Sequence, residues 1–276
     1  MVIRRKSGRA VELSSVWVGA NTRPRKNRRK GSTSAQKQDE NERDCVKRLA
    51  RIFNCNYAHG DLLLTPKYDA AGWARLEQWA GEHREENESW EDALIRAAER
   101  EGRLYLERIK RMLEAKGVEC RYVLFTSDMD GETGEAVRVH HHLVIQRVGF
   151  EAAAEKWGLG TVDYQILRDQ DDYTPLAEYL CRQVRRRPNA KKWSCSRNMK
   201  KPVVSTRWAK PGEELRPDAK AILVDRNQWE LGKPQYIRFI QRPLPGAREF
   251  SDPTRRAGTR ATSSGNLRKG VGPVEK

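Results

Sequence analysis

Residues Val137–Ile145 read VRVHHHLVI, three consecutive histidines set inside an apolar run. Successive side chains of a strand point to opposite faces. Val139, His141, Leu143 and Ile145 therefore share one face, and His140, His142 and Gln146 the other. The apolar face predicts a strand on a hydrophobic core, with His141 kept there by hydrogen bonds. On the opposite face the Cβ atoms of His140 and His142 would stand ~7 Å apart, close enough for two imidazole nitrogens to reach one divalent ion. Histidines on an exposed edge strand would share this spacing. The chain has only five histidines, so three in a row are not a matter of composition.

Working outward, Tyr122–Thr126 (YVLFT) is a second strand, and DMDGETGE between the two is a turn, which predicts an antiparallel hairpin. The hairpin supplies carboxylates for a third metal ligand: Asp128 is preferred, with Asp130, Glu132 and Glu135 further into the turn. Two histidines and a carboxylate suit magnesium or manganese, and spacing leaves zinc open. Upstream, a helical pattern covers Asp44–Ile52, Leu62–Thr65 is a strand whose central pairing Pro66 limits, and a helical stretch runs from Ala70 to about Lys116, broken near GEHREENES. Downstream, a helix at Glu151–Trp157 precedes a strand at Thr161–Leu167. A helix with Thr174 as N-cap and Pro175 in its first turn then ends before Pro188. Short strands are expected at Ala221–Val224 and Tyr236–Ile240. The mixture of antiparallel strands and separate helices is an α+β pattern.

On the helix from Pro175, steps of 100° put Leu176, Ala177, Leu180, Cys181 and Val184 on one buried stripe. Tyr179 lies opposite, with Arg182, Gln183 and Arg186 three, four and seven residues on. A tyrosine at the rim of the core would fit the same wheel, but the flanking arginines favour an anionic ligand. Tyr173 falls on the apolar side and is read as structural.

The 276 residues carry a formal net charge of +16, with 33% charged residues and a mean hydropathy of -0.87. Such a charge favours a polyanionic partner. No stretch is apolar enough to span a bilayer and the N-terminus lacks a signal-peptide core, so a cytoplasmic protein in a bacterial host, without a membrane partner, is expected. The five cysteines, at irregular spacing, are read as reduced. Residues 1–43, rich in Lys and Arg, are read as a disordered basic arm and 243–276 as a disordered tail, leaving a domain at 44–242. From Arg182 to Lys210 there are eleven Lys or Arg and no acid. Arg186, Lys191, Lys192, Trp193, Arg197, Lys200 and Lys201 are its candidate DNA contacts.

Four segments in this order, DLLLTPKYD, VRVHHHLVI, DYTPLAEYLCRQ and KKWSCSRNMKKP, resemble the HUH endonuclease superfamily. Within it they resemble the rolling-circle replication initiators related to that of the filamentous phages. The resemblance implies a ferredoxin-like antiparallel sheet with flanking helices, a helical insertion at about 70–116, and a central strand presenting His140 and His142 beside the tyrosine helix. It further implies metal-dependent nicking and rejoining of single-stranded or hairpin origin DNA through a 5′-phosphotyrosine on Tyr179. Arg182, at the spacing where the family carries lysine, would orient phosphate. A host helicase and polymerase are the implied partners. A relaxase or single-strand transposase with the same chemistry, and a non-catalytic nucleic-acid-binding protein, are the other readings the sequence admits.

Overall fold

The computed structural model describes residues 1–16, 35–185, 191–219, 221–227 and 235–242. In chain order the elements are β1 (Val2–Ser7), β2 (Ala10–Ser15), α1 (Ala35–Asn56), β3 (Leu62–Pro66), α2 (Ala70–His83), α3 (Trp90–Glu114), β4 (Tyr122–Met129) and β5 (Ala136–Ile145). There follow α4 (Phe150–Glu155), β6 (Val162–Ile166), α5 (Thr174–Arg182), β7 (Ser194–Cys195), β8 (Val203–Arg207), β9 (Ile222–Asn227) and β10 (Tyr236–Ile240). The fold is α+β, with two antiparallel five-stranded sheets ordered β6-β3-β5-β4-β7 and β8-β1-β2-β10-β9.

The first sheet is apolar on both faces. Leu64, Leu143 and Ile145 face α2, α3 and α4, where Leu76, Ile95, Tyr105 and Trp157 complete a core. Leu63, Phe125 and Val144 face α1 and α5, where Leu49, Phe53, Ala177 and Leu180 complete another. The broken stretch at 70–116 is two helices: Asp69 accepts from Gly72 N–H to start α2, and Ser89 accepts from Asp92 N–H to start α3. The end of α5 nearest Tyr173 differs from the expectation. Tyr173 is the N-cap residue and Thr174 already helical, while Asp172 Oδ1 receives both the Thr174 N–H (3.0 Å) and its hydroxyl (2.7 Å). The Asp172 carboxylate, two residues before Thr174, does the capping that a Thr174 hydroxyl was expected to do.

Pro66 has a specific effect. Lys67 N–H donates to Thr161 O on the β6 side, so Pro66, one residue earlier, turns its backbone toward β5, where it has no N–H to give. The β3–β5 ladder accordingly covers Leu62–Leu64 and stops. β5 runs on alongside β4, so that beyond Leu143 its other edge lacks a β3 partner, a notch in the sheet.

The expectation of a disordered arm over 1–43 is corrected. β1 and β2 form a hairpin at the heart of the second sheet, and α1 begins at Ala35. Val2, Val11 and Leu13 are too few apolar residues to stand out in a basic stretch, and they become a core only when Leu215, Ile237 and Phe239 arrive from 200 residues away. The folded domain therefore includes the N-terminus rather than opening at residue 44. Residues 17–34 of that arm and the whole tail at 243–276 lie outside the described residues. The second sheet meets α1 and α5 through polar contacts: Glu12 is buried and bonded to Arg51 (2.5 Å) and the Tyr236 hydroxyl (2.8 Å), and Arg238 reaches Thr174 and Asp172.

Close packing behind the histidine strand yields a first prediction. A Cβ added at Gly102 would lie 3.0 Å from His141 Cε1 and 3.2 Å from both His141 Nδ1 and Leu124 Cδ2. His141 cannot give way, because Tyr68 and Thr126 hold both of its ring nitrogens. Gly102→Ala is expected to lower stability by about 1–2 kcal/mol despite alanine's better helix propensity. An unchanged or raised unfolding midpoint would show the imidazole free to move.

Candidate functional site

β5 presents its histidines as the alternation requires. His141 is fully buried among Trp157 and Tyr68, its Nε2 2.7 Å from the Tyr68 hydroxyl and its Nδ1 3.3 Å from Thr126 Oγ1. It is the hydrogen-bonded core histidine of the sequence reading. His140 and His142 project together from the opposite face, with their Nε2 atoms 3.1 Å apart. His142 Nε2 is also 2.6 Å from Gln183 Oε1.

The ring tautomers follow from the outer contacts. His140 Nδ1 lies 3.1 Å from Arg138 O, which can only accept, so Nδ1 carries the proton and Nε2 is a lone pair. His142 Nδ1 faces Thr65 Oγ1 at 3.3 Å. The Gln183 oxygen can only accept, so His142 Nε2 carries the proton here and donates to both Gln183 Oε1 and the His140 Nε2 lone pair, while His142 Nδ1 accepts from the Thr65 hydroxyl. A divalent ion would take the place of that proton, with Thr65 then accepting from Nδ1; cis ligands about 2.1 Å from such an ion stand ~3 Å apart, the scale of the 3.1 Å and 2.6 Å separations found here. Two orphaned polar atoms agree with this. Gln183 Nε2 is buried with no partner, and Ser127 Oγ, across the ladder from His140, is likewise unpaired. The amide thus forgoes a hydrogen bond at its nitrogen while directing its oxygen at the histidines.

Among the described residues no three His, Cys, Asp or Glu side chains converge; the third polar group beside the two histidines is an amide. Asp128 is corrected from that role. It is buried and its Oδ1 accepts from Arg185 N–H (3.0 Å); its Oδ2 is ion-paired with Arg185 Nε at 3.1 Å but, like Ser127 Oγ and Gln183 Nε2, makes no hydrogen bond. Ser127 is the residue paired with His140, so strand alternation already takes Asp128 off His140's row, and a bulge at Asp128 shifts the register of β4 against β5 between Ser127 and Met129. The same bulge positions Gln183, the C-cap residue of α5, because Asp128 N–H and Met129 N–H both donate to its carbonyl at 3.1 Å. Gly131 in the turn closes the clamp, since a Cβ there would be 3.0 Å from Gln183 Cγ. The sequence carried a signal for Gln183, its position four residues after Tyr179 on one helix face.

Tyr179 is 42% exposed, with its ring centroid 6.3 Å from that of His142 in an edge-on arrangement. Tyr173, by contrast, is buried and donates its hydroxyl to Arg168 O at 3.0 Å. Arg182 is well exposed, 3.9 Å from Glu178. Lys67, paired to Asp163 at 2.7 Å, faces the notch near His142.

Burial, then the neighbouring His140, pushes His142 down to about 4, and burial pushes His141 down to about 3, from an ordinary value near 6.5. Both are neutral at neutral pH, as metal ligation requires of His142. Because the folded-state values are depressed, the unfolded chain binds more protons below 6.5, so stability is present above that pH and lost on acidification. Urea unfolding is expected to shift to lower midpoints between pH 6.5 and 5, above the range where carboxylates titrate. A flat profile there would contradict the burial of both rings.

The candidate DNA contacts from the basic segment are only partly where they were expected. Lys191, Arg197, Lys200 and Lys201 are exposed. Lys192 is corrected: it is drawn into an ion pair with Glu42 (2.5 Å) and a bond to Cys181 O (2.8 Å). Trp193 is half-buried against the α1–α5 core rather than free as a base platform. Arg186 lies outside the described residues. Ser196 N–H donates to Tyr122 O, which puts Arg197 next to the end of β4 five residues from Ser127, ~17 Å along the strand. β7 is laid there to pair the open edge of β4. The segment therefore begins beside α5, where Lys192 meets Cys181 O, and only from Ser196 onward reaches the end of the sheet away from the histidines.

Comparison of the chain with protein-family models, with curated proteins and with solved structures found no match. Among the described residues no helix is long and apolar enough to cross a membrane.

Proposed function

We propose that this protein is a rolling-circle replication initiator that nicks and rejoins single-stranded origin DNA through Tyr179. The observation that carries the reading is the meeting of Tyr179 with His140, His142 and Gln183, which come from β5 and α5 and have no local reason to converge. The strand order supports a ferredoxin-like, HUH-type sheet, since β6-β3-β5-β4 is the fourth, first, third and second strand of a β-α-β-β-α-β unit.

His140, His142 and Gln183 would hold a magnesium or manganese ion, which supplies Lewis-acid polarisation of the scissile phosphate. Arg138 O and Thr65 Oγ1 orient the two imidazoles. The Tyr179 oxygen attacks phosphorus, the bond from phosphorus to the 3′-oxygen breaks, and the released 3′-oxygen takes a proton while the phenol proton leaves to solvent. The products are a 5′-phosphotyrosine and a 3′-hydroxyl, and reversal by another 3′-hydroxyl rejoins the strand. Arg182 would steady the phosphate as it transfers. A host helicase and polymerase would act on the exposed 3′-end.

The test incubates the full chain with single-stranded DNA from around its own gene and manganese, then runs a denaturing gel. A DNA-length-dependent covalent species, lost with chelator, is expected. Its absence with every such DNA favours a non-catalytic binding protein.

A further inference from the structure

Arg138 gives its carbonyl to His140, but its side chain and that of Trp73 have no part in the candidate metal site. The Arg138 guanidinium carbon stands 4.3 Å from the centroid of the Trp73 ring. Arg138 is exposed, whereas Trp73 is half-buried against the core, its Nε1 donating to Glu77 at 2.9 Å, which fixes the rotation of the indole. The contact exists because Pro66 ends the β3–β5 ladder, so that Arg138 can reach across the edge of β5 to α2. Arg138 is two residues, ~7 Å of strand, from His140, and its carbonyl orients the His140 ring. A guanidinium stacked by one face on an indole keeps its other face for a nucleobase and its in-plane N–H groups for a phosphate. Stacking of this kind tolerates any base.

We propose that Trp73 and Arg138 form a base-stacking subsite for a nucleotide of single-stranded DNA next to the scissile phosphate. The proposal rests on the nicking function above and adds where the strand leaves the metal ligands: over the notch opened by Pro66, toward α2. The net charge of +16 supports a polyanionic strand over a protein partner.

Binding is tested with the full chain and a fluorescein-labelled oligothymidylate of about 15 nucleotides, by anisotropy in chelator so that no cutting occurs. Arg138→Ala and Trp73→Ala are each expected to weaken binding ~10-fold, within the range for lost base stacking. Trp73→Phe should keep most of the affinity. Arg138→Lys, which retains charge but loses the planar face, should weaken binding nearly as much as Arg138→Ala with an unchanged salt dependence. An abasic oligonucleotide of equal length should bind the wild type, Trp73→Ala, Trp73→Phe and Arg138→Lys alike, and Arg138→Ala more weakly by its one lost charge. Arg138 is exposed, so its variants are free of the folding cost that Trp73→Ala carries. Wild-type affinity in Arg138→Lys overturns the stacking role, as does a failure of the wild type to bind the oligonucleotide, and tighter binding of the matching RNA overturns DNA as the partner. Loss of the covalent species with these binding differences intact would remove the nicking function alone.

Discussion

Replacing Tyr179 by phenylalanine is expected to abolish the covalent protein–DNA species and to lower nicking by at least ~10³-fold, the scale on which removal of a nucleophile acts. The ring would remain edge-on to His142, and the residue is 42% exposed, so the unfolding midpoint should not move. Tyr173→Phe is the contrast. It removes a buried hydroxyl that donates to Arg168 O, so about 1 kcal/mol of stability should be lost with nicking retained. If Tyr179→Phe still forms the adduct, the nucleophile is another residue and the role given to α5 is wrong.

The second large effect separates Gln183 from Asp128. Gln183→Ala removes one of three converging donors and is expected to weaken manganese binding by at least ~10–100-fold, measured by titration of the DNA-free protein and by the manganese dependence of nicking. Gln183→Glu adds a charge at the same position and should bind at least as tightly, with manganese raising its unfolding midpoint as ligand linkage demands. Asp128→Asn should do the reverse. Its carboxylate is buried against Arg185, itself 39% exposed, so about 1–2 kcal/mol of stability is expected to go while manganese affinity stays. Loss of manganese binding in Asp128→Asn with none in Gln183→Ala would restore the carboxylate as ligand.

Much of this protein was legible in order along the chain. Period-two alternation in 137–145 separates His140 and His142 from His141, and the helical wheel from Pro175 separates Tyr179 from Tyr173; both patterns depend only on backbone geometry within one element. The same locality explains the hairpin at 122–145 and the break between α2 and α3. Three features depended on distant partners and could be decided only by tertiary structure. The N-terminal hairpin has too little apolar surface to declare itself, and it is a strand pair because residues near 215 and 240 cover it. Lys192 and Trp193 look like solvent-facing DNA contacts in a basic run, but pairing of β7 with β4 turns them inward to Glu42 and the α1–α5 core. Asp128 was expected beside the histidines, but the register pairs Ser127 with His140 and leaves Asp128 to Arg185. A register and its bulge are properties of two strands together, not of either sequence alone, and here the bulge gives the Gln183 carbonyl two N–H partners and so seats the Gln183 amide beside His142.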